Sequence, residues 1–161
     1  MEVYLDYNST TPLLEEVKTT IKENLNIYGN PSSLHQFGAS AKHKIEKARK
    51  EFAKSINKTS DEFLFTSSAT ESNNTVLKGI FLNNLSKGNS THIVTSKIEH
   101  PSVLYTCEYL EKLGAKITYI PVDNEGFIDL YELRRAVTLE TSLISIIYAN
   151  NEIGTIQPVE K

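Results

Sequence analysis

The chain has 161 residues, 39% of them hydrophobic and 23% charged, which is enough apolar material for one sizeable core and excludes a disordered composition. A net charge of −3, with Lys and Glu alternating along the chain, offers no basic surface for nucleic acid. No apolar run approaches the ~20 residues of a membrane span, and the start Met1-Glu2-Val3-Tyr4 lacks leader character, so a cytoplasmic protein with neither nucleic-acid nor membrane partners is expected.

Thr11 followed by Pro12 marks a helix start, and Leu14, Val17, Ile21 and Leu25 recur at helical spacing. Gly29-Asn30-Pro31-Ser32-Ser33 ends that helix in a loop. A second helix is predicted over 39–56, with Ala41, Ile45, Ala48, Phe52 and Ile56 on one face and mostly Lys, Glu and Arg on the other. From residue 62 the pattern alternates. Strands are predicted over 62–66, 92–96, 116–121 and 142–148, and helices over 70–85, 101–113 and 130–137. Gly114 stops the second of these helices, and Asp129-x-x-Glu132 caps the third. Leu143-Ile144-Ser145-Ile146-Ile147 is almost continuously apolar, as expected of a parallel strand covered on both faces.

Repeated βαβ units imply an α/β fold with a mostly parallel sheet and right-handed crossovers. Ligands of such sheets sit at the carboxyl ends of the strands. Three polar segments fall there: Ser67–Glu71, Lys97–His100 and Asn150–Gly154. Their convergence predicts one shared site.

Thr66-Ser67-Ser68-Ala69-Thr70-Glu71 joins a strand pattern to a helix pattern. The free N–H groups and positive dipole end of a helix start suit an anionic phosphate, here through Ala69 and Thr70. Ser68-x-x-Glu71 also reads as an ordinary capping box. His100 precedes Pro101 at a helix start; an imidazole there can be structural, or can stack on a flat ring and move protons. Asn151 follows a buried strand and reads either as a turn residue or as an amide donor to a ligand. The one cysteine, Cys107, shares a helical face with Val103 and Leu110 and has no metal-ligand spacing around it, so it is expected in the core and no metal site is expected.

With Tyr4-Leu5-Asp6-Tyr7-Asn8-Ser9-Thr10-Thr11-Pro12 and Gly29-Asn30-Pro31-Ser32-Ser33-Leu34-His35, these motifs form five segments in register. In order and spacing they resemble the N-terminal half of the cysteine desulfurases, pyridoxal-phosphate enzymes of aminotransferase class V, from about Val3 to Gln157. The resemblance implies an N-terminal arm (about 1–38) followed by part of an aspartate aminotransferase-like large domain. The reaction it implies converts L-cysteine to L-alanine and a persulfide, for iron–sulfur cluster or thio-cofactor assembly, in a homodimer that hands sulfur to an acceptor or scaffold protein.

It assigns the cofactor phosphate to Ala69 and Thr70, ring stacking and proton transfer to His100, and the phenolic oxygen to Asn151. Asn8, Thr10 and Asn30, with His35, match segments near the substrate entrance. The family usually carries Gly where this chain has Ser68, so Ser68 serves if the backbone there does not need a positive φ. A selenocysteine lyase shares these motifs; it or another class V aminotransferase-like enzyme is an alternative, and a non-catalytic fragment or partner subunit is a further one.

The resemblance also implies a lysine that binds the cofactor aldehyde, an acidic partner for the pyridine nitrogen and a nucleophilic cysteine, all C-terminal to the Asn150-Asn151-Glu152 motif. Neither Lys97 nor Lys161 occupies the lysine motif, so the chain alone is expected to be inactive. Incubated with pyridoxal phosphate, freed of unbound cofactor and trapped with borohydride, it should show only scattered lysine labelling by mass spectrometry. A stoichiometric adduct on one lysine would overturn that expectation.

Overall fold

A computed structural model describes residues 1–160; Lys161 lies outside the described residues. The chain divides into two compact units, the first Met1–Phe65 and the second beginning at Thr66.

The first unit holds helices α1 (Glu15–Asn24) and α2 (Gln36–Ser55) and a 3-10 turn, Ser60–Glu62. Helix α1 starts three residues after Pro12: Leu14 is its N-cap, and Glu15 and Glu16 fill the first turn, where carboxylates meet the positive end of the dipole. The Lys44 ammonium donates to the Asn24 amide oxygen (3.0 Å), tying α2 to the end of α1. Gly38 is buried against the preceding loop, and a Cβ there would lie 2.5 Å from the Ser33 carbonyl oxygen. Only a residue without a side chain lets α2 start so close to that loop.

The predicted strand over 62–66 does not form. Glu62 ends the 3-10 turn, Phe63 is extended without a ladder, and 63–65 lie outside the sheet. Its apolar side chains satisfy α2 instead. Phe63 stacks on Phe52 at 5.4 Å between centroids, Phe65 meets Phe63 edge-on at 5.0 Å, and the Arg49 guanidinium donates to the Phe63 carbonyl at 2.7 Å. The aromatic run that reads as a strand is therefore an aromatic clasp on a helix.

The second unit alternates α3 (Ala69–Ser86), β1 (His92–Ser96), α4 (Pro101–Lys112), β2 (Lys116–Ile120), α5 (Leu130–Ala136) and β3 (Thr141–Ser145). The strands form a parallel sheet in the order β2-β1-β3, so β1 is central, and all five of its residues are buried. Alternation along β1 feeds two cores. Ile93 joins Leu77, Phe81, Val103, Cys107 and Leu110 beneath α3 and α4, while Val94 joins Ile120 and Ile128 on the side of α5. Each fully buried aliphatic side chain contributes roughly 1.5–3 kcal/mol.

His92, 2% exposed, bridges all three strands through Thr118 Oγ1 and Thr141 Oγ1, each at 2.9 Å. Burial, with Lys116 nearby, lowers its pKa and keeps the ring neutral.

Strand β3 is shorter than the predicted 142–148. Its ladder ends at Ser145, because the Ile147 N–H turns away to a carboxylate of the β1–α4 loop. None of its residues is fully buried, and Ile144 is 46% exposed. The apolar face of α1 is also open, with Leu14, Val17, Ile21 and Leu25 all exposed. Among the described residues no helix is long and apolar enough to cross a membrane.

An unpaired parallel edge and uncovered aliphatic side chains favour association. The purified chain should run as an oligomer or precipitate in size-exclusion chromatography with light scattering. A concentration-independent monomer that unfolds cooperatively would contradict this.

Candidate functional site

At the carboxyl end of the sheet lies a cavity of about 460 Å³. Ser68, Ala69, Thr70 and Asn73 line it from the start of α3, Glu99, His100 and Val103 from the β1–α4 connection, and Ser145, Ile146 and Ile147 from the exit of β3. Its size lies in the range of small-ligand sites.

The start of α3 follows from three small hydroxyl residues and a glutamate. Ser68 is the N-cap, and its hydroxyl accepts from the Glu71 N–H at 3.2 Å. The Glu71 carboxylate folds back on Ser67, accepting from its N–H at 2.5 Å and its hydroxyl at 2.6 Å. These bonds, the Ser67 hydroxyl first, hold the carboxyl below its ordinary range.

The capping box is thus real but shifted by one residue, and it leaves the Ala69 and Thr70 N–H groups, and the Thr70 hydroxyl, without a hydrogen-bond partner among the described residues. Ser68 has φ −167°, extended backbone open to any residue, so glycine is not required there.

His100 is the N-cap of α4. Pro101 at the first helical position has no N–H, and the Val103 and Leu104 N–H groups go to the His100 carbonyl. The one remaining donor, the Ser102 N–H, reaches His100 Nδ1 at 3.1 Å. Ser102 Oγ lies 2.8 Å from the same nitrogen and accepts from the Asn73 amide at 2.9 Å.

Glu99 is buried beside it. Its Oε1 accepts from Ile147 N–H at 2.6 Å and from the Ser96 hydroxyl at 2.9 Å. Burial is the main cause of its raised pKa, against these two bonds, which favour the charged form.

Asn151 lines a neighbouring cavity of about 310 Å³, which shares Glu99 and His100 with the first. The loop carrying it is anchored by its neighbours. Asn150 donates to the Ile98 carbonyl at 2.9 Å and accepts from Glu152 and Ile153 N–H. Gln157, 2% exposed, donates to the Gly126 carbonyl at 2.7 Å and accepts from Ile128 N–H at 3.0 Å. Gly126, at φ +83°, presses against Ile153 and Thr155 where a Cβ would collide.

The structure therefore brings Ala69, Thr70 and His100 into one cavity and sets Asn151 in the adjoining one. Asn8, Thr10 and Asn30 belong to the first unit. Asn8 and Thr10 lie in or next to an exposed turn closed by the Tyr4 and Ser9 hydroxyls, and Asn30 accepts from Ser32 N–H within its own loop. His35 caps α2, accepting from Gly38 N–H at 3.3 Å.

Cys107 is fully buried in the core, and its thiol is pushed up to about 11, chiefly by burial, so at neutral pH it is an unreactive thiol. Glu99, Ser102 and Asn73 escape pattern reading. Only the i−1 and i+2 spacing of Glu99 and Ser102 about His100 marks two of them. Among the described residues no cluster of three acidic, His or Cys side chains is arranged to hold a metal.

Glu99 carries a pH test. Its folded pKa lies above the ordinary value of 4.5, so its contribution to stability is complete below that value and is lost as pH rises through the folded pKa. Glu99→Gln keeps an Oε1 acceptor and removes the charge. Relative to wild type, the variant should therefore gain stability from about pH 4 to pH 7.5 in urea unfolding. Glu99→Leu, which strands two donors, should lose roughly 2–6 kcal/mol, at about 1–3 kcal/mol for each unpaired group. Wild type gaining on the glutamine variant as pH rises would refute the assignment.

The aminotransferase class-V family model matches residues 3–161. The chain is 53% identical over 161 residues to the cysteine desulfurase IscS of Dictyoglomus turgidum, covering 99% of this chain and 40% of that protein. Among solved structures it is similar to a NifS-like protein, with TM-score 0.91, 45% identity, 99% of this chain and 44% of that one covered. It is also similar to SspA in complex with cysteine, with TM-score 0.90, 36% identity, and 98% and 45% of the two chains covered. The chain thus spans about 40% of the length of the curated relatives it matches. The loop–helix starts that bound the cavity belong to the matched stretch, and the chain belongs to the aminotransferase class-V family.

Proposed function

We propose that this chain forms the phosphate- and ring-contacting part of a pyridoxal-phosphate site in a cysteine desulfurase, which removes sulfur from L-cysteine to give L-alanine and a persulfide. One observation carries this reading: unpartnered amides at a helix start and an imidazole line one cavity at the carboxyl edge of a parallel sheet, in a chain 53% identical to a cysteine desulfurase.

The residues fit the group. A phosphate needs donors, and the Ala69 and Thr70 N–H groups with the Thr70 hydroxyl are free to donate, since Glu71 spends its carboxylate on Ser67. The dipole of α3, 18 residues long, adds positive potential at the same place. A pyridine ring needs a flat neighbour, and His100 lines the same cavity. Its phenolic oxygen needs a donor, and the Asn151 amide lies in the cavity that shares His100. Bound there, the cofactor supplies an electron sink.

The chain's own residues would bind the phosphate at the start of α3, give the ring a flat neighbour in His100, and hold a proton on the imidazole. Cys107, in the core, takes no part. In this reading the cofactor-binding lysine and the sulfur-accepting cysteine lie outside residues 1–161, and the complete enzyme is a homodimer that passes sulfur to an acceptor or scaffold protein. Asn8, Thr10 and Asn30 belong to its substrate entrance.

The test joins residues 1–161 to the remainder of the Dictyoglomus turgidum relative, in place of the matching stretch. The chimera should retain pyridoxal phosphate and release alanine from cysteine. His100→Ala should lower turnover by ~10²-fold or more, as for loss of a positioned acid–base group. Cys107→Ala should leave turnover intact and cost at most ~1 kcal/mol of stability. A folded, cofactor-loaded chimera that yields no alanine would sink the reading, as would loss of persulfide on Cys107→Ala with His100→Ala fully active.

A further inference from the structure

We infer that neutral His100 is held as the tautomer protonated at Nε2, and that Ser102 and Asn73 are the positioning residues that fix it. The inference gains its catalytic meaning from the proposed function. Its structural content stands on hydrogen bonds alone.

The argument begins with a donor that has no freedom. A backbone N–H only donates, and that of Ser102 points at His100 Nδ1 from 3.1 Å. A proton on Nδ1 would face that N–H head-on and leave a buried donor unpaired, at a cost of about 1–3 kcal/mol. Nδ1 therefore presents its lone pair. In a neutral imidazole the other nitrogen must then carry the proton. Among the described residues Nε2 has no hydrogen-bond partner.

The hydroxyl of Ser102 fits the same arrangement. Ser102 is buried, and its Oγ lies 2.8 Å from Nδ1. The Asn73 amide donates into that oxygen at 2.9 Å. Oγ keeps a second lone pair, so this contact alone fits either direction; with Nδ1 already an acceptor of the Ser102 N–H, the hydroxyl proton is the one that shares that nitrogen's lone pair. The chain of bonds runs in one sense, from the Asn73 amide to Ser102 Oγ to His100 Nδ1, and links α3 to the N-cap of α4. Asn73 also lines the cavity.

The consequence is chemical. A neutral His100 in this state offers a donor at Nε2 and cannot take up a proton there. It can accept one only at Nδ1, which first requires giving up the cap on α4. The resting ring thus carries its free donor at Nε2.

The tautomer is observable without cofactor or turnover. The whole chain, labelled with 15N and 13C in its four histidines, is examined by magic-angle-spinning NMR at about pH 8.5, above the ordinary imidazole range. The His100 signals are assigned by their loss in His100→Gln, and coupling to the ring carbons separates Nδ1 from Nε2. Wild type should show a pyridine-type Nδ1 and a pyrrole-type Nε2. Ser102→Ala removes the hydroxyl donor and should shift Nδ1 toward the unbonded pyridine range, while Ser102→Thr should restore the wild-type shift. Asn73→Asp places an acceptor against Ser102 Oγ, draws its proton away, and should reproduce the alanine shift.

His92, inside the sheet, reports whether each variant is folded. If Ser102→Ala unfolds, Asn73→Asp decides the role of the pair, and the wild-type spectrum alone decides the tautomer. A pyrrole-type Nδ1, or an even mixture of tautomers, overturns the inference. A His100 spectrum unmoved in the folded alanine and aspartate variants removes Ser102 and Asn73 from it. Failure of the desulfurase reading would appear separately, as a chimera without alanine release beside an unchanged His100 spectrum.

Discussion

A single carboxylate sets the geometry on which the cavity depends. Glu99 Oε1 receives the Ser96 hydroxyl from the end of β1 and the Ile147 N–H from the chain leaving β3. These bonds join two parallel strands past the point where their ladder stops. The next residue in sequence is His100. Burying a carboxyl is unfavourable unless its oxygens are bonded, and burial does raise this one's pKa. The arrangement holds because two donors converge on one oxygen. The Asn150 amide adds a parallel clamp, from the loop after β3 to the Ile98 carbonyl. The segments bearing His100 and Asn151 are therefore fastened to each other rather than placed independently.

That clamp explains why β3 is shorter than its sequence predicts. Ile146 and Ile147 are apolar enough for a strand, but the N–H of Ile147 is taken by Glu99. The two residues become cavity wall instead of ladder. The aromatic run at 63–65 departs from expectation for a different reason. Its short apolar run reads as a strand, but Phe52 on α2 offers a ring to stack on, and burial does not require a ladder. Hydrophobic periodicity reports that a residue wants cover, not which element supplies it.

Much of the second unit was legible. The bounds of β1 agree with its pattern to the residue, and α4 and α5 each end one residue before their predicted limits. Pro101 and Asp129 account for that success, since each signals a helix start by local chemistry. The turn at Ser67–Glu71 was legible as a helix start; the shift of its carboxylate to Ser67 was not, because spacing along the chain does not say which amide a carboxylate chooses. His92, Asn73 and Gln157 were invisible for a related reason. Their partners lie on other elements, Thr118 and Thr141 for His92, Ser102 for Asn73, Gly126 and Ile128 for Gln157. No spacing along one segment encodes a bond to another.

The two helix starts at the cavity show how one backbone need can be met with opposite results. Every helix leaves its first N–H groups unpaired. At α3 the cap is a serine hydroxyl that takes only the Glu71 N–H, so the Ala69 and Thr70 amides stay available to an anion. At α4 the first position is proline, which has no N–H, and the single donor left is consumed by the His100 ring itself. One start is therefore a donor site, and the other is a mount for an imidazole. A serine in place of His100 would cap α4 as well but would present no ring. A histidine in place of Ser68 would put a bulky side chain where the α3 amides now open into the cavity. The choice of capping residue, a local matter of helix stability worth about 1 kcal/mol, is what leaves open amides at one start and sets an imidazole at the other.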